Sequence, residues 1–180
     1  QFGLVGSEMC IRDRGKKMQD DITDGVMWAI DNGYADEDRV CIAGASYGGY
    51  ATMAGLVFTP DLYRCGINSI GVTDQQQLLD NFARRASRFQ SWDEEPLLEW
   101  GDLSTEEGQK YAKEISPILH VDNMKAPVLI LHGSNDYVVP VFHARDLISK
   151  LDRLGKTYDS MFQAYDCLLY TSDAADDVHR

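Results

Sequence analysis

No apolar run in these 180 residues approaches the roughly 18 that a membrane-spanning helix requires, so no membrane partner is expected. Basic residues are scarce: 17 Lys and Arg lie scattered among 29 Asp and Glu, for a net charge of −12. That balance argues against nucleic acid as a partner, because neutralising phosphates takes clustered cations. The four cysteines, at 10, 41, 65 and 167, form no CxxC pair and no Cys/His spacing suited to zinc, so neither a redox motif nor a metal site is expected. Cys41 and Cys65 sit inside apolar runs and read as buried thiols. The full P-loop pattern G-x-x-x-x-G-K-S/T is absent, and the glycines at 44, 48 and 49 do not spell G-x-G-x-x-G, so no nucleotide or dinucleotide cofactor is implied. No period of 20 to 50 residues recurs, which excludes a repeat architecture. There is no starting Met and no basic segment followed by an apolar stretch, so localisation stays open.

What is present is an apolar share of 44% with 10% aromatics, in a length suited to one domain with a real core. Met18, Ile22, Val26, Ala29 and Ile30 recur at helical spacing, with Asp20 and Asp21 near the helix start and Gly33 as its C-cap. The turn "YADEDR" leads into "VCIAGAS", a short run that reads as a strand buried on both faces. Tyr50, Met53, Ala54 and Val57 mark the next helix, stopped by Thr59-Pro60, and "CGINSIGVT" is the next strand. Residues 74–117 are polar and partly helical, carry Phe82, Phe89, Trp92 and Trp100, and read as an excursion from the sheet. "APVLILHG" resumes with a buried strand, a helix through Ala144, Leu147, Ile148, Leu151 and Leu154 closes at Gly155, and "TYDSMFQAY" is the last strand. Strands alternating with helices predict an α/β fold: a partial parallel sheet of four visible strands with helices on both faces.

In "RVCIAGASYGGYATMAG", residues 39–55, Gly44-Ala45-Ser46-Tyr47-Gly48 matches G-x-S-x-G. A strand turning sharply into a helix brings its flanking backbones together, which requires glycines; the turn bares the serine hydroxyl and offers the Tyr47 backbone N–H to an oxyanion. A chain of this composition produces about 0.07 such matches by chance, so the strand before and the helix after carry the reading. A serine nucleophile needs a histidine base oriented by a carboxylate. "VLILHGSNDYVVP" puts Asp136 in a loop leaving a strand end, after the serine in chain order, as in α/β-hydrolases. By itself Asp136 is also a fitting turn residue. His120, His132 and His143 read as structural or surface residues. The base is expected within a few residues of Tyr165, where no histidine stands, and His179 is the only later one.

The segments "QDDITDGVMWAIDNGYADEDRVCIAGASYGGYATM", "TPDLYRCGINSIGVTD", "SPILHVDNMKAPVLILHGSNDYVVP" and "LDRLGKTYDSMF" resemble the catalytic domain of the prolyl oligopeptidase family of serine peptidases, notably its acylaminoacyl and dipeptidyl aminopeptidase branches. The pairing of S-Y-G-G-Y with H-G-x-x-D-x-x-V-P is the specific part. The resemblance implies an α/β-hydrolase fold, Ser46 as nucleophile, Asp136 as triad acid, Tyr47 as oxyanion donor, and Val72 and Val139 at the substrate pocket. It also implies a second oxyanion donor upstream of Gln19, an amino-terminal β-propeller and a Gly-His-Gly type segment after Tyr165, none of which has a counterpart here. "GSEMCIRDR" and "CLLYTSDAADD" resemble translated adapter read-through, so residues 1–14 and 167–180 are expected to be non-native, flanking a partial hydrolase domain at 15–166.

The expected activity is cleavage of short peptides by acyl transfer, the 180-residue chain itself lacking its base. A carboxylesterase or dienelactone-type hydrolase on the same fold is the alternative substrate class. A non-catalytic relative that binds partners through the acidic, aromatic segment 82–100 is the alternative outside enzymology.

Overall fold

The computed structural model describes residues 15–89 and 105–163. The segments 1–14 and 167–180 expected to be non-native, and with them His179, lie outside the described residues, as do Trp92 and Trp100. Helix α1, Lys17–Asp31, half-buries Ile22, Val26, Ala29 and Ile30 on one stripe; Asn32 caps it and Gly33 follows at φ 74°. A 3-10 turn at Glu37–Arg39, capped by Asp36, leads into β1, Cys41–Ala45. Helix α2, Tyr47–Phe58, is apolar all round and buried from Gly49 to Val57, which places it in the core rather than on it. Then come β2, Cys65–Ser69, and the excursion: α3, Gln75–Phe89; α4, Glu106–Glu114, capped by Thr105; and a 3-10 segment, Pro117–Asn123. β3, Val128–Gly133, α5, Phe142–Leu154, closed by Gly155 at φ 61°, and β4, Tyr158–Gln163, complete the described chain.

The four strands form one parallel sheet in the order β1-β2-β3-β4. Ala45 pairs with Ser69 and Ser69 with Leu131, so the carboxyl ends of the first three strands come level. The residues that follow each end therefore meet at one edge, and this is the edge that carries Ser46 and Asp136.

The core lies between the sheet and the α2/α5 side. Met53, Leu56 and Val57 of α2, Val121 and Met124 around the 3-10 segment, Val128 and Ile130 of β3, and Leu147 and Leu151 of α5 form one buried cluster. Val26 of α1 and Ile42 of β1 pack against it. Each large apolar side chain so buried stabilises the fold by about 1.5–3 kcal/mol.

The other sheet face is open at Ile67, 38% exposed, and at Met161, 65% exposed. Two expectations change here. β1 is not buried on both faces: Cys41, Ala43 and Ala45 are exposed, because β1 stands at the edge of the four strands and its second face looks away from the helices. Nor are Cys41 and Cys65 buried thiols. They are register partners on β1 and β2 and form a disulfide, with their Cα atoms 4.7 Å apart.

Candidate active site

Ser46 follows directly on β1 and precedes the first residue of α2. Its φ of 56° and ψ of −117° turn the chain within one residue, with the Ser46 N–H donating to Ser69 O at 3.0 Å and its carbonyl accepting from Tyr50 N at 3.1 Å. Contact demands the glycines at 44 and 49, whereas a Cβ on Gly48 would meet nothing within 4 Å. A Cβ on Gly44 would stand 2.4 Å from the Gly48 carbonyl, and one on Gly49 would stand 2.6 Å from the Gly71 Cα. Asn68, buried in β2, accepts from Gly71 N at 3.0 Å and holds the loop that lets α2 approach so closely. The first turn of α2 thus presents its N–H groups beside Ser46, the arrangement that stabilises a developing anion.

Tyr47, the first residue of α2, is half-buried; its hydroxyl donates to Met18 Sδ at 3.5 Å and its ring lies 5.4 Å from that of Tyr50. Tyr50 is fully buried and donates to Ile115 O at 3.1 Å; burial pushes its pKa upward, so it stays a protonated donor. Asp136 lies in the loop after β3 and is 6% exposed. Its Oδ1 accepts from Val138 N and Val139 N, each at 2.8 Å, which fixes the plane of the carboxylate. Val72 and Val139, from the loops after β2 and β3, meet in one buried cluster with Tyr50, Ala54 and Leu78, against which Tyr47 and Phe82 pack.

Three of the four histidines are described, and each is engaged with backbone. His132 at the end of β3 is buried and donates from Nε2 to Val139 O at 2.9 Å; desolvation lowers its pKa. His143 in the first turn of α5 accepts at Nδ1 from Thr73 N at 3.4 Å, while the Thr73 hydroxyl donates to His143 O at 3.0 Å. Desolvation, and then the neighbouring His132, push the His143 pKa down to about 3, so it is neutral. His120 lies on the 3-10 segment with its ring 5.1 Å from that of Phe58. The Thr73–His143 pair ties the Val72 loop to the helix after the Val139 loop; it joins residues 70 apart and leaves no local mark in the sequence. Among the described residues no group of His, Cys, Asp or Glu is placed to hold a metal ion, and no helix is long and apolar enough to cross a membrane.

The sequence model of the prolyl oligopeptidase family matches residues 7–165. The chain belongs to the prolyl oligopeptidase family. Relatives agree: the chain is 41% identical over 120 residues to dipeptidyl aminopeptidase BIII of Pseudoxanthomonas mexicana, a stretch that is 67% of this chain and 17% of that protein. An acylaminoacyl peptidase solved with Z-Gly-Gly-Phe-chloromethyl ketone superposes with a TM-score of 0.77 at 25% identity, covering 93% of this chain and 26% of that one. A puromycin-hydrolyzing peptidase of Mycobacterium tuberculosis superposes with a TM-score of 0.73 at 27% identity, covering 87% and 22%. The chain therefore has the α/β-hydrolase fold of a prolyl oligopeptidase family serine peptidase and spans between a sixth and about a quarter of the length of these relatives.

Proposed function

We propose that the prolyl oligopeptidase family protein of which this chain is a part hydrolyses short peptides through an acyl-enzyme at Ser46. The observation that carries the reading is the backbone of Ser46, held at φ 56° in a turn so tight that Gly44 lies against the Gly48 carbonyl with no room for a side chain on Gly44. In the proposed sequence Ser46 Oγ attacks the scissile carbonyl carbon as its proton passes to a histidine imidazole. The Tyr47 N–H and the start of α2 hold the oxyanion, and Val72 and Val139 wall the pocket for the residue before the scissile bond. The imidazolium, held by the Asp136 carboxylate, then protonates the leaving amine; water, deprotonated by the same imidazole, hydrolyses the ester and restores Ser46. The peptide ligand of the acylaminoacyl peptidase and the name of the dipeptidyl aminopeptidase support peptides as the substrate class.

The base in this scheme is none of His120, His132 and His143, whose rings serve the backbone or Phe58. Without its base a triad loses several orders of magnitude in rate. The 180-residue chain is accordingly expected to turn over aminoacyl anilides and short acyl esters at close to the uncatalysed rate, and to resist a fluorophosphonate probe. Labelling at Ser46 that disappears in Ser46→Ala would overturn the absence of a base, and its loss in His179→Ala would identify His179 as that base. A longer chain with a histidine-bearing loop after β4 is expected to cleave aminoacyl anilides; if it cleaves only acyl esters, the peptidase reading fails in favour of an esterase.

A further inference from the structure

Two large side chains on α1 and just beyond it stand in water: Trp28 is 60% exposed and Tyr34 77%. Their rings stack 5.4 Å apart at an interplanar angle of 19°, an offset aromatic platform whose outer ring face is left to solvent. Helical spacing sets Asp24 one turn before Trp28 and Asp31 one turn after it. Both aspartates are exposed, and neither enters an ion pair among the described residues.

Gly25 belongs to the same face, three residues before Trp28. A glycine inside a helix costs about 1 kcal/mol against alanine. Nothing in the described protein requires it, since a Cβ there would meet no atom within 4 Å. Packing among the described residues therefore accounts for neither the bared platform nor the glycine.

A ring face flanked by carboxylates fits a planar cation, which can stack on the indole while its N–H groups bond to the acids. A bare stretch of helix beside the platform admits a second backbone at close range. We infer that this face of α1 docks an arginine-bearing segment of a separate protein chain. Net charge opposes a second copy as the occupant, because each copy brings −12 and the same acidic face. None of Ser46, Tyr47, Val72, Asp136 and Val139 belongs to the surface, so the inference stands apart from the peptidase reading.

The test is a titration of the 180-residue chain against a labelled peptide of three arginines spaced by glycine and serine, and against its citrulline counterpart, which keeps shape and removes charge. The arginine peptide is expected to bind at least about tenfold more tightly than the citrulline one, and Trp28→Ala to lose about tenfold. Asp24→Asn with Asp31→Asn should weaken binding and flatten its salt dependence. Gly25→Ala should weaken binding while holding or raising the thermal midpoint, which separates lost docking from lost folding. No binding of the arginine peptide overturns the inference. So does equal binding by the citrulline peptide, by Trp28→Ala or by Gly25→Ala, since attraction to the net charge alone would survive those changes.

Discussion

At a φ of 56° and ψ of −117° a side chain crowds its own backbone, and Ser46 is held there by the hydrogen bond to Ser69 O and by the start of α2. Such strain costs about 1–3 kcal/mol, so Ser46→Gly is expected to stabilise the chain by about 1 kcal/mol after the extra freedom of an unfolded glycine is set against it. Urea unfolding checks this; a loss of stability would mean the turn is unstrained in solution. His143 offers a second prediction. Its folded pKa of about 3 lies below the 6.5 of an unfolded histidine, so the folded protein binds fewer protons between these values. Its contribution is therefore complete above pH 6.5 and is lost as the pH falls toward 3, at up to about 1.4 kcal/mol per unit, with His132 acting in the same direction. His143→Gln should flatten that acid limb in unfolding curves taken from pH 7 to 4, and an unchanged limb would assign it to the carboxylates. The sharp turn at Ser46 and the strand-end loop of Asp136 were legible because each sits in a short pattern with its own geometry. The Thr73–His143 bond was not, because only the finished fold brings the two together.

At the scale of elements, strands and helices followed from apolar periodicity, and the observed bounds depart from it by a residue or two at capped ends such as Asn32 and Gly155. The exception is β2. "CGINSIGVT" reads as a strand to its end, yet pairing stops at Ser69, where Ile70 takes φ 46° to pass the start of α2. That requirement comes from Gly49 and Gly71 meeting, which local propensity cannot express. Pairing of Cys41 with Cys65 escaped for a similar reason: a separation of 24 residues carries no signal until β1 and β2 align in register. The disulfide closes a loop containing the whole of α2. Constraining a loop of that length is worth about 3 kcal/mol. Reduction, or Cys41→Ser with Cys65→Ser, is expected to lower unfolding stability by about 2–4 kcal/mol, and an unchanged urea midpoint after reduction would show the two thiols to be unbonded in solution.

Across the described residues taken together, the two faces of the sheet differ in kind. Parallel sheets are ordinarily covered on both sides, and here the described helices gather where Met53, Ile130 and Leu147 are wholly buried, while Ile67 and Met161 of the opposite face stand open. Stability should then be drawn almost entirely from one side. Ile130→Ala, which opens a cavity in the closed face, is expected to cost about 2–5 kcal/mol. Met161→Lys, at a position 65% exposed, is expected to cost no more than about 0.5 kcal/mol, and to raise solubility by breaking an apolar patch. Urea unfolding of the two variants at several protein concentrations separates the possibilities. Equal costs that persist on dilution would mean that another part of this chain closes the second face. A Met161→Lys cost that vanishes on dilution would mean that two copies close it against each other. The small cost at every concentration is the outcome that leaves this face of the sheet open to water.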